Sequence, residues 1–279
     1  MKFRLACADF TFPLLTHEHA LDVISMIGVE GVDVGLFEGR SHLHPSRELA
    51  DPAGSGEALR RKVADRGLAV ADVFLQMDPD FSRYAANHPD TSRRDKARDW
   101  YRRTLDYAQA CRCGHVTALP GVLFDDVSEA DAFARCRDES AWRVEQARDA
   151  GITFGVEAHV GSIVPTPAQA RELVAAVPGL TLTLDYTHFT SRGTPDSDIE
   201  PLIAHASHFH VRGACEGRLQ ASFKDNVIDY RRIVEVMETT GYAGYIGIEY
   251  VWFDWEHCNE VDTLSETILF RDYVRSQMK

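Results

Sequence analysis

The chain has 279 residues, 44% of them hydrophobic and 26% charged, which is enough apolar content for one large barrel or two modest domains. Its formal net charge of −13 argues against a nucleic-acid partner, because phosphate binding needs a basic face. No run approaches the roughly 20 apolar residues of a membrane span, so no membrane partner and a cytoplasmic location are expected.

Short apolar runs alternate with amphipathic stretches from end to end. Residues 5–12 read as a strand and not a leader, since Asp9 breaks the apolar run. Residues 17–27 read as a helix, with Ala20, Leu21, Ile24 and Ile27 at helical spacing. A strand over 31–37, a polar loop, a helix over 56–66 and a strand over 69–77 follow. The polar segment 78–91 follows, and its part 78–88, with Phe81 and Tyr84, suits a lid. A helix over 92–111, a strand over 115–120 and a helix over 128–150 come next, the last with Ser128 and Glu129 as start signals. The second half is predicted as strand 153–158, helix 167–177, strand 180–185, helix 196–206, strand 208–212, helix 228–240, strand 245–251 and helix 262–276. Eight strand–helix pairs of about 35 residues predict an α/β chain, a single (β/α)8 TIM barrel over 1–279. An open doubly wound sheet is the alternative, but no G-x-G-x-x-G loop follows the first strand.

The six cysteines (Cys7, Cys111, Cys113, Cys136, Cys215 and Cys258) lack zinc-knuckle or redox spacing and are expected to be reduced and mostly packed. No Ser-His-Asp order emerges. Instead, Glu157, Asp185, His210 and Glu249 each follow or end an apolar run, at the predicted ends of strands five to eight. Residues at the C-terminal ends of barrel strands converge, so three carboxylates and one imidazole would meet at one point. Singly, each acid is more simply a helix cap or a loop carboxylate; four in register suit one divalent metal ion. Mn2+ is the first choice, with Mg2+, Co2+ or Zn2+ compatible. Alternation along a strand turns His159 to the side of Glu157, and Arg212 to the side of His210. His159 reads as a general base or as an outer partner steadying a ligand. Arg212 reads as a substrate contact or as the ion-pair partner of a nearby acid. The segment 38–44 is a candidate rim, and Trp252, Phe253 and Trp255 are a candidate apolar wall.

The ordered motifs Val156-Glu157, Leu184-Asp185-Tyr-Thr-His188, His208-Phe-His210 and Ile248-Glu249 resemble those of the xylose-isomerase-like barrel superfamily of sugar isomerases and epimerases. The resemblance implies that Glu157, Asp185, His210 and Glu249 bind the metal, and that the two glutamates flank the substrate carbon and exchange its proton. It also implies a substrate contact for His188, whose alternative is a capping or packed histidine. A metal on a carbonyl and its neighbouring hydroxyl stabilises the enediolate left when the α-proton departs. Flanking glutamates can return that proton to either face.

The chain departs from the ketohexose epimerases of that superfamily in two places. They have no histidine at the position of His159, and Glu157-x-His159 looks like the pairing in barrel enzymes that deglycosylate 3-keto-glycosides by elimination. They also place an arginine further along the loop after His210, where this chain has Glu216 and only Arg212 nearby. The expected function is a divalent-metal-dependent isomerase or epimerase of a sugar or keto-sugar. The alternative is a metal-dependent lyase or deglycosidase acting on 3-keto-glycosides with His159 as general base. The expected partner is a small-molecule carbohydrate, and a homo-oligomer is left open. An abasic-site endonuclease shares the fold but needs further ligands on strands one to four, where Asp9, Gln76 and Pro120 are poor stand-ins. A non-catalytic sugar-binding module would hold no metal.

Overall fold

Most long helices start where the sequence offers a side chain to a free backbone N–H. Thr16, Asp51, Asp90, Ser128, Thr166, Asp229 and Asp262 each accept such a bond. They open α1 (His17–Ile27), α3 (Pro52–Ala64), α4 (Thr91–Ala110), α5 (Glu129–Asp149), α6 (Pro167–Ala176), α9 (Tyr230–Thr240) and α10 (Thr263–Gln277). Single turns form α2 (Pro45–Glu48), α7 (Thr187–Thr190) and α8 (Asp196–Ile199). Gly28 and Gly241 end α1 and α9 at φ of 81° and 73°, a left-handed conformation that glycine adopts without strain.

The computed structural model describes residues 3–278. Eight of its strands are apolar runs that pair in parallel: β1 (Arg4–Ala8), β2 (Gly31–Phe37), β3 (Ala69–Gln76), β4 (His115–Ala118), β5 (Thr153–Val156), β6 (Thr181–Asp185), β7 (Ala206–Val211) and β10 (Tyr245–Ile248). They close into a barrel in the order β1-β10-β7-β6-β5-β4-β3-β2, which is the (β/α)8 architecture expected from the sequence. The main hydrophobic core lies between this barrel and the helices, with residues such as Leu21, Ile24, Val32, Val73, Leu105 and Leu173. Among the described residues, no helix is long and apolar enough to cross a membrane.

Inside the barrel the filling is unusually polar. Asp33, Asp72, His115, Thr117, Thr183 and His208 are all buried, where branched apolar side chains are the common filling. They persist because they pair: Asp72 with His115 Nδ1 at 2.6 Å, Asp33 with His208 Nε2 at 3.0 Å, and Thr117 with Thr183 at 2.6 Å. Burial pushes the Asp72 carboxyl up, but the charge and hydrogen bond of His115 bring it below its usual range.

Several boundaries differ from the sequence expectation. The strand expected over 5–12 stops at Ala8, because Asp9 turns inward to accept the Gly35 N–H at 3.0 Å and the chain continues as a 3-10 turn. The helix expected over 56–66 begins earlier, at Pro52, with Asp51 as its cap. The helix expected over 196–206 is only α8 followed by a 3-10 segment over Glu200–His205; Pro201 has no N–H to continue an α-helix. An antiparallel hairpin after β7, β8 (Gly213–Cys215) with β9 (Arg218–Ala221), was not anticipated.

The α3–α4 contact yields a stability test. An alanine Cβ at Gly56 would lie 2.6 Å from the Tyr107 carbonyl oxygen and 2.7 Å from Ala110 Cβ. Replacing a mid-helix glycine by alanine ordinarily stabilises by about 0.5–1 kcal/mol. Here overpacking against backbone opposes that with about 1–3 kcal/mol. Gly56→Ala should therefore lower the calorimetric Tm by a few degrees; a raised Tm would contradict this packing.

Candidate metal centre

The candidate ligands sit where the strand ladders still hold the backbone. Asp185 and His210 are cross-strand partners on β6 and β7. Glu157 and Glu249 each lie one residue past a strand. Their N–H groups nonetheless bond to neighbouring strands, to Ala118 O at 3.2 Å and to Val211 O at 3.0 Å. One donor atom from each of the four lies within 4.8 Å of the others. The barrel order β10-β7-β6-β5 makes Glu249 and Glu157 the outer members of this quartet, with His210 and Asp185 between them.

All four are buried, so their charges must be answered locally. His210 Nδ1 lies 2.9 Å from Glu157 Oε1 and 3.3 Å from Glu249 Oε2. Arg212 Nη2 lies 2.9 Å from Asp185 Oδ2 and 3.7 Å from Glu249 Oε2. The other Asp185 oxygen accepts from Thr187, through its N–H at 2.8 Å and its hydroxyl at 2.7 Å.

These contacts set the proton positions. Burial pushes the Glu249 carboxyl up to about 8, against the opposing pull of His210 and Arg212. Burial acts to lower His210, but the charges of Glu249 and Glu157 and the Glu157 hydrogen bond raise it to about 10. Glu157 and Asp185 resist the upward push of burial and fall below the usual range, through His210 and Arg212 respectively. Three acids crowded around one buried imidazole form a donor set that fits a cation. Glu249 Oε2 also remains buried without a hydrogen bond. Carboxylate oxygens and one imidazole suit a divalent ion of the Mg2+, Mn2+, Co2+ or Zn2+ type.

His159 and His188 flank the quartet, with ring centroids 5.7 Å apart. His159 Nδ1 is 2.6 Å from the Val160 carbonyl oxygen, so Nδ1 carries the hydrogen and Nε2 keeps its lone pair. That Nε2 is buried and has no hydrogen-bond partner. Burial lowers the imidazole below its ordinary range, which keeps it neutral at neutral pH. His188 Nε2 is 3.6 Å from Asp185 Oδ2, and burial pulls its pKa down to about 4.

Glu157, His159, His188, Arg212 and Glu249 line one cleft of about 50 Å3, with aromatic walls from Phe10, Phe37, Phe74, Phe81, Phe253 and Trp255. Phe81 packs edge-on against His159, so the segment expected to be a lid reaches the site. Arg40 lies 4.9 Å from the Phe81 ring and 5.9 Å from the Phe253 ring and lines the same cleft. The rest of the expected rim is engaged elsewhere: Glu38 with Ser46, and His42 stacked on His17. Trp252 also departs from the expected wall and lines an outer groove with Leu14 and Leu15. Phe253 and Trp255, close by in the chain, line the cleft instead.

Asp33, which lies beneath His210 in mid-strand, is not among the site residues expected from the sequence. The available signal was an acid inside an otherwise apolar run, Gly31-Val-Asp-Val-Gly-Leu-Phe37.

Solved structures share this fold over nearly the whole chain. A D-psicose 3-epimerase is 13% identical with a TM-score of 0.77, covering 99% of each chain. A xylose isomerase-like TIM barrel protein from Mycobacterium smegmatis, in complex with magnesium, is 15% identical with a TM-score of 0.74, covering 99% of this chain and 96% of that one. A 3-keto-D-glucoside 4-epimerase from E. coli is 12% identical with a TM-score of 0.75, covering 99% of this chain and 100% of that one. No curated protein sequence matches. The xylose isomerase-like TIM barrel family model matches residues 21–271, and the chain belongs to that family.

Proposed function

We propose that this protein is a divalent-metal-dependent isomerase or epimerase of a sugar or keto-sugar. The observation that carries the reading is the buried quartet whose donor atoms converge within 4.8 Å, with the two glutamates as its outer members. Glu157, Asp185, His210 and Glu249 would hold the ion. A bound divalent cation supplies Lewis acidity that makes the C–H next to a carbonyl removable near neutral pH. Glu157 and Glu249 approach from different strands, so one can take the proton from a carbon held between them and the other can return a proton to the opposite face. Arg212, which pairs with Asp185 and Glu249, and His188 would bind substrate hydroxyls. The aromatic walls exclude water and offer faces on which a sugar ring can stack.

A second reading, elimination from a 3-keto-glycoside, is favoured by one observation: the unpartnered, neutral Nε2 of His159 in the same cleft. A neutral imidazole can remove the proton next to the ketone while the aglycone leaves from the adjacent carbon.

Incubation of the Mn2+-loaded protein in D2O with a panel of keto-sugars, and separately with a 3-keto nitrophenyl glucoside, tests both. Deuterium entering a ketose without loss of a leaving group supports the isomerase. Nitrophenol release supports elimination. Neither result in the presence of stoichiometric metal would sink both readings.

Metal binding itself has a simple readout. Mn2+ at 100 times its dissociation constant should add about 2.7 kcal/mol of stability, since it binds only the folded state. For a chain of this size that is a rise in Tm of roughly 4–6 °C, reversed by a chelator. An unchanged melting curve would exclude the centre.

A further inference from the structure

Beneath the quartet lies a carboxylate that the proposed reaction does not use. Asp33 Oδ2 is 3.0 Å from His208 Nε2 and 3.9 Å from His210 Nε2. The three side chains are at most 1% exposed. Asp33 Oδ1 and His210 Nε2 are buried without hydrogen-bond partners. Opposite them stands Gly247, where a Cβ would overlap the Asp33 carboxylate and lie 3.2 Å from His208 Nε2. The barrel therefore gives up a side chain on β10 to admit an acid that His208 satisfies only in part.

We propose that Asp33 is a positioning residue for the metal centre: it takes the Nε2–H of His210 and so fixes the tautomer and ring orientation that aim Nδ1 at the quartet. The inference rests on reading Glu157, Asp185, His210 and Glu249 as metal ligands. Nδ1 is the nitrogen that faces Glu157 and Glu249, and it can be a ligand only through its lone pair. The ring hydrogen must then sit on Nε2, the atom turned toward Asp33. With Nδ1 committed to the ion, its bond to Glu157 is gone, and Asp33 Oδ2, at 3.9 Å just outside hydrogen-bond range in this ring position, is the carboxylate facing Nε2 toward which the ring can settle. A carboxylate behind a ligating imidazole also raises its basicity. His208 holds Asp33 Oδ2 at 3.0 Å, and Gly247 keeps the space open.

The test is calorimetric Mn2+ titration of wild type, Asp33→Asn and Asp72→Asn. Asp72 makes the same kind of buried bond, but to His115, so its variant controls for the loss of a barrel carboxylate. Asp33→Asn should bind Mn2+ about 10–100-fold more weakly, and Asp72→Asn as wild type does. Equal affinity of Asp33→Asn and wild type overturns the proposal alone, whereas a wild type that binds no metal overturns the centre with it. Two ions per wild-type chain would also overturn it, by making Asp33, His208 and His210 ligands of a second site. Long-range 1H–15N correlation of the wild-type protein loaded with Zn2+ needs no variant. Nε2 should be protonated on His210 and Nδ1 metal-bound; the reverse arrangement rules the proposal out.

Discussion

Glu249→Gln is expected to lower solvent-deuterium exchange into a responsive keto-sugar by roughly a thousandfold or more, the scale of a lost acid–base residue. The substitution is nearly isosteric, so the barrel should keep its shape. It removes one of the three quartet carboxylates, and with it a group able to carry the substrate proton. The introduced amide would also enter a pocket where Glu249 Oε2 lies 3.3 Å from His210 Nδ1 and 3.7 Å from Arg212 Nη2, leaving those cations with less compensation. Two measurements separate the two losses. Mn2+ affinity should fall because an anionic ligand is gone, and exchange should stay low at saturating Mn2+ because the proton carrier is gone. Exchange near the wild-type rate at saturating metal would overturn the assignment of Glu249.

His159→Ala decides between the two reactions. If elimination is the activity, aglycone release should fall by roughly 100- to 10,000-fold while Mn2+ affinity stays close to wild type. His159 has its Nδ1 tied to Val160 O and its Nε2 free, so its removal deletes a base without touching a quartet residue. If epimerisation through Glu157 and Glu249 is the activity, deuterium exchange should change far less, and the main effect should be on KM. The Phe81 ring packed on His159 would lose its partner, so the variant's Tm belongs in the same experiment. Full exchange and full aglycone release in His159→Ala would show that this imidazole only fills space.

Much of the site was legible because a barrel converts sequence periodicity into position. An apolar run with an acid or histidine at its end is a strand that delivers that side chain to the C-terminal face. Glu157, Asp185, His210 and Glu249 were found in this way, and the structure brings them together. Residues on loops were harder to place. Trp252 and Trp255 are three positions apart in one aromatic run, yet one lines an outer groove and the other the cleft. No periodicity governs that irregular segment, and only its packing sets which ring faces inward.

The sequence alone determined the alternation of strands and helices, and hence the (β/α)8 class and the register of the four ligand candidates. Local rules suffice there, because capping, a period of two and apolar burial act over a few residues. Tertiary structure decided what spans the barrel. Asp33 and His208 meet at 3.0 Å although 175 positions separate them, and Gly247 makes the room between them. A buried acid inside an apolar run shows in the sequence as a local anomaly. Which histidine answers it depends on how eight strands close, and closure is a property of the whole barrel.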